Sequence, residues 1–179
     1  EALYRTYEGF SELFGAIKSY DQRLTEDLAQ TMNQISDQAP SARIYVPLGI
    51  GGHVDHQIVC QAILRSNVRQ NNILFYEDFP YVVKSGVTPD AKRRVMAQHL
   101  EDVSDTLDTK VEAIFCYRSQ INFLLSYLLQ EHVEQTMQRC RLEEVLKEYS
   151  HSLAQCAMSE AHAAGVKSPS WFAERYWTL

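Results

Sequence analysis

From Arg43 to Tyr76 the chain runs through a strand, a glycine-rich loop, a buried helix and a second strand, and this order admits few folds. Arg43-Ile44-Tyr45-Val46-Pro47-Leu48 is a short β-branched and aromatic run of the strand type. Gly49, Gly51 and Gly52 loosen the backbone that follows into a loop. Val54 to Leu64 is apolar nearly all round, with Ile58, Val59, Ala62 and Ile63, which predicts a buried helix. Asn72-Ile73-Leu74-Phe75-Tyr76 reads as a second strand, and Glu77-Asp78-Phe79-Pro80 as the loop after it. These pieces predict a βαβ unit, whose parallel strands carry functional loops at their carboxyl ends. Gly49 to Asp55 and Glu77 to Tyr81 both leave from those ends.

The rest of the chain reads as helical. Leu24, Leu28, Met32 and Ile35 recur at helical spacing and predict an amphipathic helix to Gln38, stopped by Pro40. Thr88-Pro89 is a helix start, with Val95, Leu100, Val103 and Leu107 continuing one face. Thr109 and Glu112 have capping-box spacing for a helix burying Ile114, Ile121, Leu125 and Leu128. A last helix spans about Arg141 to Ala164 and ends at Gly165. Two strands are too few for a stable parallel sheet, so either further strands lie unrecognised in the chain or, the favoured expectation, the sheet is completed by residues outside this sequence.

At 179 residues the chain suits one domain, and a net charge of −6 argues against non-specific nucleic-acid binding as its main task. No apolar stretch approaches the roughly 20 residues of a membrane span. Cys60, Cys116, Cys140 and Cys156 form no CxxC pair and lie in helix-like apolar patterns. Buried, reduced thiols and a cytoplasmic setting are expected from that. The chain opens Glu1-Ala2-Leu3-Tyr4, with neither an initiator Met nor a signal-peptide pattern, so targeting is not read from this end.

Gly51-Gly52-His53-Val54-Asp55-His56 carries the chemistry. Two imidazoles and a carboxylate lie within four residues, just after a strand and entering a helix. They are nitrogen and oxygen ligands suited to a borderline divalent metal, zinc above all. Asp55 falls in the first helical turn, where negative charge is favoured. Histidines at a helix N-terminus also serve as caps or as solvent-facing side chains, and spacing alone leaves both readings open. Glu77 and Asp78, beside Tyr76, Phe79 and Tyr81, suit sugar hydroxyls and ring stacking, or else a loop packing its aromatics inward. Gln120 is a further cleft candidate, with a buried structural bond as the alternative. His99, His132, His151 and His162 read as ordinary histidines on helical surfaces.

The run from Tyr45 to His56 resembles the second signature of the LmbE-like deacetylases, relatives of N-acetylglucosaminylphosphatidylinositol (PIG-L) deacetylase. Val54 replaces the usual Pro of His-Pro-Asp-His. Lys110-x-x-Ala113 leading to Tyr117-Arg118-Ser119-Gln120, and Glu174-Arg175-Tyr176-Trp177, agree with the same family. The resemblance implies an α/β, Rossmann-like parallel sheet flanked by helices and a metal-dependent hydrolase acting on N-acetylglucosamine-type sugars or conjugates. It makes His56 a ligand of zinc (exchangeable for iron), His53 the proton donor and Asp55 a partner orienting a histidine. Glu77, Asp78 and Gln120 would contact substrate.

The family's first signature, His-Pro-Asp-Asp, which supplies two ligands and the general base, has no counterpart here. Residues 1–179 are therefore expected to be the C-terminal part of one deacetylase domain, without its N-terminal strands and inactive alone. An open sheet edge would leave a homo-oligomer as one expected assembly. A catalytically inactive binding or scaffold domain of the same fold is the alternative. A metallo-β-lactamase-like site is disfavoured, because Gly51 stands where its further histidine is required.

Overall fold

The computed structural model of the chain describes residues 7–95, 97–130, 132–160 and 170–179. The chain divides into two compact units, residues 1–98 with 176–179, and residues 99–175.

The first unit is built on the βαβ element. After a short helix α1 (Gly9–Leu13), α2 (Gln22–Gln38) leads to β1 (Ile44–Pro47), α3 (Val54–Arg65) and β2 (Ile73–Tyr76). β1 and β2 pair in parallel, with Ile44 opposite Ile73 and Pro47 opposite Tyr76. Leu48, Ile50, Val54, Ile58, Ile63 and Phe75 are each 2% exposed or less and form the core around α3. Each such side chain contributes about 1.5–3 kcal/mol by leaving water. α2 packs on α3, and α3 on β1. The buried positions of α2 are the small Thr25 and Ala29, whereas Leu24, Leu28 and Met32 are half-buried and Ile35 is exposed. Its predicted apolar stripe therefore flanks the contact rather than forming its centre. Two short helices follow, α4 (Tyr81–Ser85) and α5 (Pro89–Arg94). Thr88 caps α5, its hydroxyl oxygen accepting from Ala91 N at 3.2 Å.

Beyond α5 the structure departs from the helical expectation. Val95 is extended (φ −124°, ψ 149°) and ends the helix, and residues 97–102 form strand β3. Its half-buried Gln98 and Leu100 alternate with exposed Ala97, His99 and Glu101, a period of two that the spacing to Val103 and Leu107 disguised. The next helix, α6 (Leu107–Phe115), starts two residues before Thr109, so the expected capping box does not form there. A turn at Tyr117–Gln120 separates α6 from α7 (Ile121–Leu129), so one expected helix is two. α8 begins at Gln138 and is described to Glu160, and its expected end near Gly165 lies outside the described residues. The last strand, β4 (Ala173–Thr178), was not expected at all.

β4 corrects the expected parallel sheet. It runs antiparallel to β2, with Phe75 opposite Trp177 and Tyr76 opposite Tyr176, giving a mixed four-stranded sheet in the order β1-β2-β4-β3. The α/β class with flanking helices stands. In the second unit, Leu153 and Ala154 of α8 bury against Ala173, and Leu107, Val111, Leu125, Leu142 and Leu146 are also buried. Lys110 and Glu174 form an ion pair there.

The cysteines differ from expectation too. All four are free, and only Cys60 is buried, while Cys116, Cys140 and Cys156 are exposed. No helix among the described residues is long and apolar enough to cross a membrane. Native protein treated with a thiol reagent should therefore label at three positions within minutes. Cys60, whose thiol burial pushes above its ordinary pKa, should label only as the chain unfolds, a difference that intact-mass measurement reads directly.

Candidate active site

The loop after β1 bends through a 3-10 turn at Ile50–Gly52 and delivers His53 to the N-terminus of α3. Gly51 must be glycine there for two reasons. Its φ is +82°, and a Cβ would overlap the Cβ of Tyr81. Tyr81 opens α4, so this close approach brings the loops after β1 and β2 together.

His53 is the N-cap of α3, its Nδ1 accepting a hydrogen bond from Asp55 N at 3.2 Å. An accepting Nδ1 leaves the proton on Nε2 of the neutral ring. His56 lies one helical turn on and has the opposite arrangement. Its Nδ1 is 2.6 Å from Oδ1 of Asp78, and a carboxylate there accepts a hydrogen bond from Nδ1–H, which leaves the lone pair on Nε2. The two rings are 5.2 Å apart between centroids. Three residues apart on one helix face, the pair presents one N–H donor and one basic nitrogen.

Asp78 is 1% exposed and both its oxygens are engaged. Oδ2 accepts from Ile50 N at 2.9 Å, while Oδ1 meets His56. The carboxylate on His56 is thus that of Asp78, from the loop after β2, while the backbone of Asp55 serves His53. Glu77 is 8% exposed and accepts from Trp177 Nε1 at 2.9 Å, a link from the β2 end to β4. Gln120 falls in the second unit, where it precedes α7 and its backbone N–H donates to Tyr117 O at 2.9 Å. His99 lies in β3 and His132 in a loop rather than on the expected helical surfaces, His151 lies on α8, and His162 is outside the described residues.

Aromatic side chains surround the pair. Phe14 packs edge-on to His53 at 5.2 Å and to Tyr81 at 5.3 Å. Tyr81 lies 5.7 Å from the His56 ring. Gln57 pins the loop, its Nε2 donating to Gly15 O at 2.8 Å and to Gly52 O at 2.5 Å. Nothing in the linear sequence marks Phe14 or Gln57, because their partners lie on other segments.

Among the described residues no group of three or more His, Cys, Asp or Glu side chains gathers to hold a metal. The Asp78 contact leaves His56 Nε2 with its lone pair, and Asp78 itself is committed through both oxygens. The residues described here do not by themselves fit a bound metal ion.

No family model matches the sequence, and no curated protein does. Among solved structures, the fold matches the zinc-inhibited form of teicoplanin deacetylase Orf2, with a TM-score of 0.64 and 20% identity over 92% of this chain and 54% of that one. It also matches the A40926 pseudoaglycone deacetylase Dbv21, with a TM-score of 0.57 and 19% identity over 92% of this chain and 60% of that one. The chain thus shares the fold of these two deacetylases and spans somewhat more than half the length of each.

Three substitutions test this geometry. Asp78→Ala should lower unfolding free energy by about 1–3 kcal/mol by leaving a buried N–H unpaired. Asp78→Asn should cost less but present its amide N–H to His56, moving the imidazole proton to Nε2, a tautomer change visible in side-chain 15N NMR. Gly51→Ala should cost at least about 1–3 kcal/mol from backbone conformation alone, measured by denaturant unfolding.

Proposed function

We propose that residues 1–179 are the C-terminal part of a deacetylase domain that releases the acetyl group of an N-acetylglucosamine-type sugar or conjugate. The observation that carries this reading is the His53–His56 pair, held in complementary tautomers on one helix face by Asp55 N and Asp78. The His-Val-Asp-His run, with its likeness to the LmbE-like signature, and the fold shared with two antibiotic deacetylases support it.

Amide hydrolysis needs a donor for the carbonyl oxygen as it gains negative charge, and a proton for the departing amine. The Nε2–H of His53 suits both tasks, since it donates in the neutral ring and a protonated ring delivers a proton to nitrogen. Phe14 and Tyr81 beside it shield the imidazole and offer apolar faces to a sugar ring. Asp78 holds His56 in one tautomer, with Nε2 turned to accept. In this reading His56 is the one ligand these residues offer to zinc or iron, and the rest of the ligand set comes from outside them. Glu77, Asp78 and Gln120 were candidates for substrate contact. Of these, Glu77 and Asp78 act through the groups they hold, Trp177 and His56, while Gln120 belongs to the second unit.

A second reading is a binding domain of the same fold without catalysis. Acetate release from N-acetylglucosamine conjugates, measured on the protein as encoded from its own start, separates the two. The deacetylase reading predicts turnover, about one zinc or iron per chain, and a loss of roughly 10²–10⁴-fold in kcat for His53→Ala. It predicts loss of both metal and activity for His56→Ala. Neither turnover nor metal, with zinc supplied, would leave the binding domain as the account.

A further inference from the structure

The glycine loop also borders a cavity of about 460 Å3 within the first unit, lined by Phe14, Gly51, Gly52, Ser85, Thr88 and Arg94, among others. It shares walls with the histidine pair. Phe14 lies against His53, and Gly51 against Tyr81.

Arg94 supplies the positive charge. It ends α5 beside two other cations, of which Arg93 pairs with Asp90. Among the described residues no carboxylate lies within ion-pair distance of Arg94. Its Nη1 instead lies 3.9 Å from the Sγ of Cys60. Burial pushes the Cys60 thiol above its ordinary pKa, so the sulfur is neutral and does not balance the guanidinium.

The other polar groups are placed to donate and accept. The Thr88 hydroxyl oxygen accepts from Ala91 N, which leaves its O–H to donate. Gln57, also in the lining, spends its amide N–H groups on Gly15 O and Gly52 O and keeps Oε1 as an acceptor. Asp90 lines the cavity too, with its charge matched by Arg93.

We infer that this cavity is a subsite for an anionic group, carboxylate or phosphate, that the substrate carries beyond its acylated amine, with Arg94 as the counter-ion. A guanidinium meets either group through paired N–H bonds, and a chain of net charge −6 attracts an anion only where a local cation is uncompensated. The identity of the substrate as an acylated amino sugar rests on the deacetylase reading, but binding of the anion does not.

Calorimetric titration of the full chain tests it with N-acetylglucosamine, N-acetylglucosamine 6-phosphate, N-acetylmuramic acid and inorganic phosphate. Both anionic sugars should bind about tenfold or more tightly than the neutral one, a difference of about 1.4 kcal/mol. Arg94→Gln, shown to be folded by circular dichroism, should erase that preference, Arg94→Lys should keep part of it, and His56→Ala should leave it in place. Equal affinity for neutral and anionic sugars, a preference that survives Arg94→Gln, or no binding of any probe would overturn the inference. Inorganic phosphate binding as tightly as the sugar phosphate would overturn the assignment to substrate. Tight, Arg94-dependent binding without acetate release would uphold the subsite while sinking the deacetylase reading.

Discussion

A buried carboxylate with two partners holds this site together. Asp78 leaves the end of β2, yet its oxygens reach Ile50 N in the loop after β1 and Nδ1 of His56 on α3. A carboxyl group at 1% exposure is tolerated only when its hydrogen-bonding capacity is met, and leaving a buried partner unpaired costs about 1–3 kcal/mol. The same bonds fix the height of the glycine turn and the tautomer of His56. Fold and site chemistry thus depend on one interaction, and a change at Asp78 disturbs both.

The parallel register of β1 and β2 makes this reach possible. Pro47 stands opposite Tyr76, so both strands end at the same level and their loops leave side by side. A backbone bond between them, Leu48 N to Tyr76 O at 3.0 Å, lies two residues before Asp78. From there Tyr81 folds back against Gly51, where only a residue without a Cβ admits it. A ring of Phe14, Tyr81, His53 and His56 results, polar at its imidazole nitrogens and apolar elsewhere. That combination suits a sugar, which offers both C–H faces and polar substituents.

The βαβ core was legible because its signals are local. β-branched runs, three glycines and an all-round apolar helix each report on their own backbone, and the segment from Ile44 to Tyr76 folds close to the boundaries they predict. β3 and β4 were not legible. The alternation in Ala97–Asp102 is weak and mostly exposed, and Ala173–Thr178 mixes charge with aromatics. Such strands are defined by the neighbour they pair with, here β2 against β4, rather than by propensity. The cysteines teach the same lesson, since an apolar helical pattern buried Cys60 but left Cys116, Cys140 and Cys156 exposed.

The sequence by itself determined the βαβ order, the placement of His53, Asp55 and His56 at a helix N-terminus, and the need for glycine before them. These follow from dihedral preference and helical spacing, which act over a few residues. Only the tertiary structure decided that Asp78 is the partner of His56, that Phe14 lies against His53 and that Arg94 borders the glycine loop. Asp78 and His56 are separated by 22 residues, and Arg94 lies 34 residues from Cys60, whose sulfur it meets. Contacts at such separation are set by how strands and helices pack against one another, and no local pattern in the chain encodes them.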